Sequence, residues 1–188
     1  VFCELSIGKK GSSTSRVVVQ EPDYFAITDS HPRAFIHVLS LPRFHINGIE
    51  DLKGKEGHEI LRRLETIGRQ ALDIELRRLL SSSYSSSDGI TAVHNSNQEN
   101  HLQKKEQEYV ERQLTAVNYL QRREAAEPSI AETFVFGFHQ SWLRSVNHLH
   151  MHCICPPFFP SAQFLRYHPI TSFVPLTQAI SRMEATSK

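Results

Sequence analysis

The chain has 188 residues, 21 Lys+Arg against 20 Asp+Glu for a formal net charge of +1, 39% hydrophobic and 22% charged residues, 3 Cys and 11 His. That length suits one domain with an elaboration, and the balanced charge argues against a broad phosphate-neutralising face, so no nucleic-acid partner is expected. No run of about 18 apolar residues exists to cross a membrane, and an odd number of cysteines suits a reducing compartment, cytoplasmic or nuclear, better than a disulfide scaffold.

Residues 1–46 read as β-rich. Short apolar stretches at Val17-Val18-Val19, Tyr24-Phe25-Ala26-Ile27 and Phe35 to Leu41 are separated by Gly11 to Ser15 and by Asp29 to Arg33, which predicts a hairpin or meander. From Ile49 to Leu80 the apolar spacing becomes helical, through Ile60, Leu61, Leu64, Ile67, Leu72 and Leu76, with Glu50 or Asp51 as candidate caps. Residues 81–101 are a polar, Ser- and Asn-rich tract that cannot bury a core. Residues 102–125 have the spacing of a solvated helix that Pro128 ends. Strand character returns at Thr133 to Phe138 and again from His148 to Ile154, where Pro156-Pro157 is expected to stop it. A short helix is predicted around Leu176 to Met183. Strands, a helix, an insertion and strands again describe an α+β protein.

The chemistry concentrates in His148-Leu149-His150-Met151-His152-Cys153-Ile154. In a strand, the three imidazoles would share one face about 6.6 Å apart, while Leu149, Met151 and Cys153 would share the other. One histidine here would most simply be a polar residue of an edge strand. Three in strict alternation, followed by an apolar run, point to a functional network whose nitrogens must be satisfied. Neutral imidazole is both a nucleophile and a proton acceptor, and phosphorus is the plausible target. A metal site remains the alternative use of three such side chains.

This segment resembles the motif of the histidine-triad (HIT) superfamily, His-x-His-x-His followed by two apolar residues, at every position. Phe2-Cys3-Glu4-Leu5 resembles the family's opening strand, Phe25 to Asp29 its ribose-binding strand end and His37 to Ile46 its second strand; Asp29, His37 and His45 keep its spacing of eight residues. The resemblance implies a HIT-like antiparallel sheet with helices packed on one face. Residues 1–160 would form the domain, with an insertion at about 81–128, and 161–188 a carboxy-terminal extension. It implies a nucleotidyl hydrolase or transferase, in a nucleoside phosphoramidase or adenylylsulfatase-like branch, that cleaves an AMP-X bond. His150 would attack the α-phosphorus, His152 would bind phosphate oxygens, the His148 carbonyl would orient the His150 ring, and Ser145 would contact the leaving group. Asp29 would bind the ribose hydroxyls, Phe2, Leu5, Ile27 and Leu39 would line the base pocket, and His37 would stand behind the triad.

No cofactor is implied as required. Some relatives hold a structural zinc, for which Cys3, His45 and His148 are the corresponding positions, but zinc is not predicted. The partner implied is a purine nucleotide conjugate, and homodimerisation is a family habit. Where many phosphoramidases carry an Asn and a Gly-Gln pair before the triad, this chain has Gly137, Leu143 and Arg144. That departure keeps a second reading, a nucleotide-binding scaffold with little turnover. Phe136-Gly137-Phe138-His139 is similar to a Gly-aromatic-His of aprataxin, which keeps a third, a hydrolase of adenylylated nucleic acid.

Overall fold

A computed structural model describes residues 15–82, 114, 134–140, 142, 146–158 and 160–185. Six strands form one antiparallel sheet: β1 (Val17–Gln20), β2 (Tyr24–Thr28), β3 (Ala34–Pro42), β4 (Val135–His139), β5 (Met151–Phe158) and β6 (Phe173–Pro175). Their spatial order is β1-β2-β3-β5-β4-β6. The helices are α1 (Gly54–Ser82) and α2 (Leu176–Ala185), with 3-10 turns at Ile49–Asp51 and Ser161–Tyr167. The architecture is α+β, one antiparallel sheet with helices.

The chain divides into two units, Val1–Asp73 with Thr133–Lys188, and Ile74–Glu132. The sheet and the site belong to the first. Of the second, the described residues are the last turns of α1, where Arg78 Nε donates to Glu75 Oε2 at 3.1 Å, and Leu114. The Ser-rich tract beyond Ser82 and the predicted helix at 102–125 otherwise lie outside the described residues.

Register separates the two faces of the sheet. Leu39 pairs with His152 and Ser40 with Met151 across β3 and β5, while Gly137 pairs with His152 across β4 and β5. Because side chains alternate, His37, Leu39, His152 and Ile154 lie on one face and Val38, Ser40, Met151 and Cys153 on the other. All nine residues of β3 are buried, as expected of a central strand covered on both sides.

α1 covers the second face. Ile60, Leu61, Leu64, Ile67, Ala71 and Leu72 are buried at helical spacing, the apolar stripe that an amphipathic helix turns towards a sheet. Contact is close enough that a Cβ at Gly68 would lie 3.3 Å from Met151 Cε and nearer still to Cys153 Sγ. Ser40 Oγ donates to the Leu64 carbonyl at 2.8 Å, and the Arg69 guanidinium sits 4.6 Å from the centroid of Phe136.

Four elements differ from the sequence reading. α1 starts at Gly54 rather than near Ile49; Gly54 has φ 54°, the left-handed region that suits glycine, so the backbone turns there after a separate 3-10 turn. β5 starts at Met151, not His148, because the chain before it bonds elsewhere: Leu149 N donates to the Ile46 carbonyl at 2.6 Å instead of to a strand partner. β5 also runs through Pro156-Pro157 to Phe158. Its pairing with β4 has ended by then, and its register with β3 shifts between Ala34 and Ile36, so the missing proline N–H groups cost the ladder little. Finally, residues 161–188, read as an extension, supply β6 to the same sheet and pack α2 against α1, where a Cβ on Gly57 would lie 3.0 Å from Met183 Sδ.

Candidate active site

The first face of the sheet gathers the imidazoles. His148 sits in a bend, His150 immediately precedes β5 and His152 is its second residue, so the triad enters the sheet gradually instead of standing as a flat ladder. His148 and His152 are buried and His150 is half-buried. The His150 and His152 ring centroids are 5.1 Å apart.

Hydrogen bonds assign the protons. His150 Nδ1 lies 2.7 Å from the His148 carbonyl oxygen. A carbonyl only accepts, so Nδ1 carries the hydrogen and the lone pair belongs to Nε2. His148 Nε2 donates in the same way to the Pro42 carbonyl at 2.9 Å. At His37, the Arg33 N–H donates to Nδ1 at 3.4 Å, which puts the ring hydrogen on Nε2. His37 Nε2–H then donates to His152 Nδ1 at 2.8 Å, and His152 must carry its own hydrogen on Nε2. Among the described residues, that Nε2 is buried without a hydrogen-bond partner, as are both ring nitrogens of His139. Buried polar atoms are seldom left so, and a donor with nothing to donate to, beside a half-buried imidazole, is suited to an incoming oxygen.

Asp29 and the carboxy-terminal segment complete the site. Asp29 follows β2 directly and accepts the His31 N–H at 2.8 Å through Oδ1, the turn role open to any Asp there, while Oδ2 lies 3.4 Å from His37 Nε2. Tyr167 packs its ring 5.5 Å from His37, 5.3 Å from His139 and 5.6 Å from His152. Phe173 adds a wall 5.5 Å from His139, and Gly137 makes room for it, since a Cβ there would lie 2.6 Å from the Phe173 ring.

Burial fixes the charge state of this cluster. Desolvation pushes His37 down to about 4 against the opposing pull of the Asp29 carboxylate. His139 likewise falls to about 4, chiefly by burial and then by the Arg166 guanidinium, and His152 lies well below its ordinary value for burial and its neighbouring imidazoles. Burial also lowers His148, with the Pro42 carbonyl opposing. These rings are neutral donors and acceptors near pH 7. Burial raises Cys153 and Cys155 to about 12, so neither thiol is a nucleophile.

Of the other expected site residues, Ile27 and Leu39 join Phe25 and Leu41 in one buried cluster on the face that carries His152. Phe2, Leu5, Ser145 and Cys3 lie outside the described residues. His45 and His148 have ring centroids 5.4 Å apart, but His45 Nε2 is 3.1 Å from Asn47 Oδ1 and His148 Nε2 is given to the Pro42 carbonyl. Among the described residues, the donor set close enough to hold a cation is Asp29, His37 and His152, within 4.8 Å of one another, and hydrogen bonding already accounts for that closeness. Tyr167 was absent from the sequence expectations. No local pattern marks it, because it reaches the site through the return of the chain to β6.

A family model described as scavenger mRNA decapping enzyme C-term binding matches residues 1–85. A bifunctional adenosine 5'-phosphosulfate phosphorylase/adenylylsulfatase of Arabidopsis thaliana is 23% identical over 178 residues, 93% of this chain and 84% of that protein. Similar solved structures include a histidine triad protein from Clostridium difficile, 14% identical over 83% of this chain and 89% of that one with a TM-score of 0.41. A HIT family hydrolase from Legionella pneumophila is 18% identical over 84% and 92%, also with a TM-score of 0.41. The complete His148 to Ile154 motif carries the same likeness to histidine-triad proteins.

Proposed function

We propose that this protein hydrolyses a bond between AMP and a small leaving group, an amine or sulfate, through a nucleotidyl-histidine intermediate on His150. The observation that carries the reading is the 2.7 Å contact of His150 Nδ1 with the His148 carbonyl, which aims the basic character of the ring at Nε2. In the first step the Nε2 electron pair forms a bond to the α-phosphorus. The bond from phosphorus to the leaving group breaks, and that group departs with its electrons, sulfate as the dianion and an amine with a proton taken from solvent. In the second, water attacks phosphorus and releases a proton to solvent, the N–P bond returns its electrons to Nε2, and AMP leaves with the water oxygen. Negative charge that builds on the equatorial oxygens meets the Nε2–H of His152, a donor already oriented by His37.

The Asp29 side chain, 16% exposed at the edge of the imidazole cluster, is the group proposed to meet the sugar hydroxyls. The adenylylsulfatase named for the Arabidopsis relative supports sulfate as one leaving group. The test is single-turnover release of AMP from adenosine 5'-phosphoramidate and from adenylyl sulfate. His150→Ala should lose roughly a thousandfold or more in kcat while AMP binding survives. Turnover preserved in His150→Ala would remove the mechanism.

A further inference from the structure

The Asp29 carboxylate does not face only the space a sugar would fill. Its Oδ1 is occupied by the His31 N–H at 2.8 Å, and its Oδ2 stands 3.4 Å from His37 Nε2, the same nitrogen that lies 2.8 Å from His152 Nδ1. Two acceptors thus share one N–H. Other charged and titratable groups acting on His37 are Arg33 from the β2–β3 turn, His150 ahead of β5 and Arg166 from the 3-10 turn; among them Asp29 is the one that favours a hydrogen-bearing, positively polarised ring.

The tautomer of His37 decides that of His152. Were the His37 hydrogen on Nδ1, its Nε2 would be an acceptor. His152 would then have to donate through Nδ1, and its Nε2 would become a lone pair facing an anionic phosphate. The Arg33 N–H opposes that inversion, but at 3.4 Å it is a long contact. Asp29 supplies the stronger constraint, since a carboxylate can only accept.

We propose that Asp29 is a positioning residue as well as a sugar contact: through His37 it holds His152 in the tautomer that donates from Nε2 to the substrate phosphate. The kinetic side of this inference rests on the proposed nucleotidyl transfer; the structural side does not.

Asp29→Asn separates the two roles. The amide still offers an acceptor to the His31 N–H and can still hydrogen-bond sugar hydroxyls. With its oxygen held by His31, its NH2 group faces His37 Nε2, donor against donor. The kinetic comparison uses adenosine 5'-phosphoramidate and its 2',3'-dideoxy counterpart, which has no hydroxyls to bind. The expected result is a kcat lower by roughly tenfold or more on both substrates, because a misassigned imidazole tautomer is costly wherever it positions catalysis. A loss confined to KM, or one that disappears with the dideoxy substrate, would leave Asp29 a sugar contact alone and overturn the proposal.

Ring-nitrogen NMR of the full 15N-labelled chain decides the matter without turnover. The wild-type protein should show His37 and His152 protonated at Nε2 and unprotonated at Nδ1, and Asp29→Asn should convert or mix both tautomers. A wild-type His152 protonated at Nδ1, or tautomers unchanged in a folded Asp29→Asn, would overturn it. Should the wild-type chain turn over neither substrate, the proposed function fails while the nitrogen spectra still judge the tautomer relay.

Discussion

The two faces of β3 and β5 are built from the same residues in alternation, yet they are chemically opposite. On one, Val38, Met151 and Cys153 pack dry against α1, all at 0% exposure. On the other, His37 and His152 are almost as deeply buried but hold a directed sequence of hydrogen bonds that ends in a donor with no partner among the described residues. Burial alone does not separate core from site here. What separates them is whether each buried polar atom has its bonding capacity filled, and that difference makes the two faces respond differently to substitution and pH.

The largest expected effect belongs to the imidazole face, where His150→Ala should remove turnover with little change in melting temperature. On the helix face the sign of the result reverses. Met151→Ala empties a fully buried site beside Gly68 and should cost about 2–5 kcal/mol in denaturant unfolding, with kcat altered only as far as β5 shifts. Gly68→Ala would force a Cβ into Cys153 Sγ, and overpacking of that kind should cost about 1–3 kcal/mol by the same measurement. If either helix-face change abolished chemistry while leaving stability intact, the division between the faces would be wrong.

Acid titration sharpens the comparison further. The folded values of His37, His139, His148 and His152 all lie below 6.5, so each contributes stability that is complete above pH 6.5. As pH falls from 6.5 towards 4, the unfolded chain takes up protons that His37 and His139 refuse, and stability should decline by about 1.4 kcal/mol per pH unit for each of these two rings, with His148 and His152 adding loss of the same sign. Urea unfolding at pH 7, 6, 5 and 4 measures this, and a midpoint that stays constant across the range would contradict the neutral cluster. The smallest expected effect is Arg69→Ala, which loses a guanidinium over Phe136 and should cost about 0.5–1 kcal/mol.

Much of this was legible in the sequence, because alternation and helical spacing are local signals. The sheet strands of residues 17–42, the buried stripe of α1 and the final helix near Leu176 follow from period and spacing, while the grouping of His37 with the triad comes from the family resemblance. The start of β5 was not legible, since His148 and His150 keep strand-like alternation while their rings bond to carbonyls in and beside them. Nor could spacing show that Tyr167 folds over His139 and His152, because that contact depends on β6 pairing with β4 across more than thirty residues of chain. The double engagement of Asp29 was hidden for a related reason: a turn residue, a sugar contact and a histidine partner look alike in sequence, and a 3.4 Å separation distinguishes them only in three dimensions.

The central claim, a covalent nucleotide on His150, is tested most directly by rapid acid-free quench of the wild-type enzyme with adenosine 5'-phosphoramidate, followed by intact-protein and peptide mass spectrometry. The account predicts one adenylyl group per chain, labile to acid, on His150 and formed no more slowly than turnover. Steady turnover with no adduct, or with the adduct on another residue and retained in His150→Ala, would contradict it.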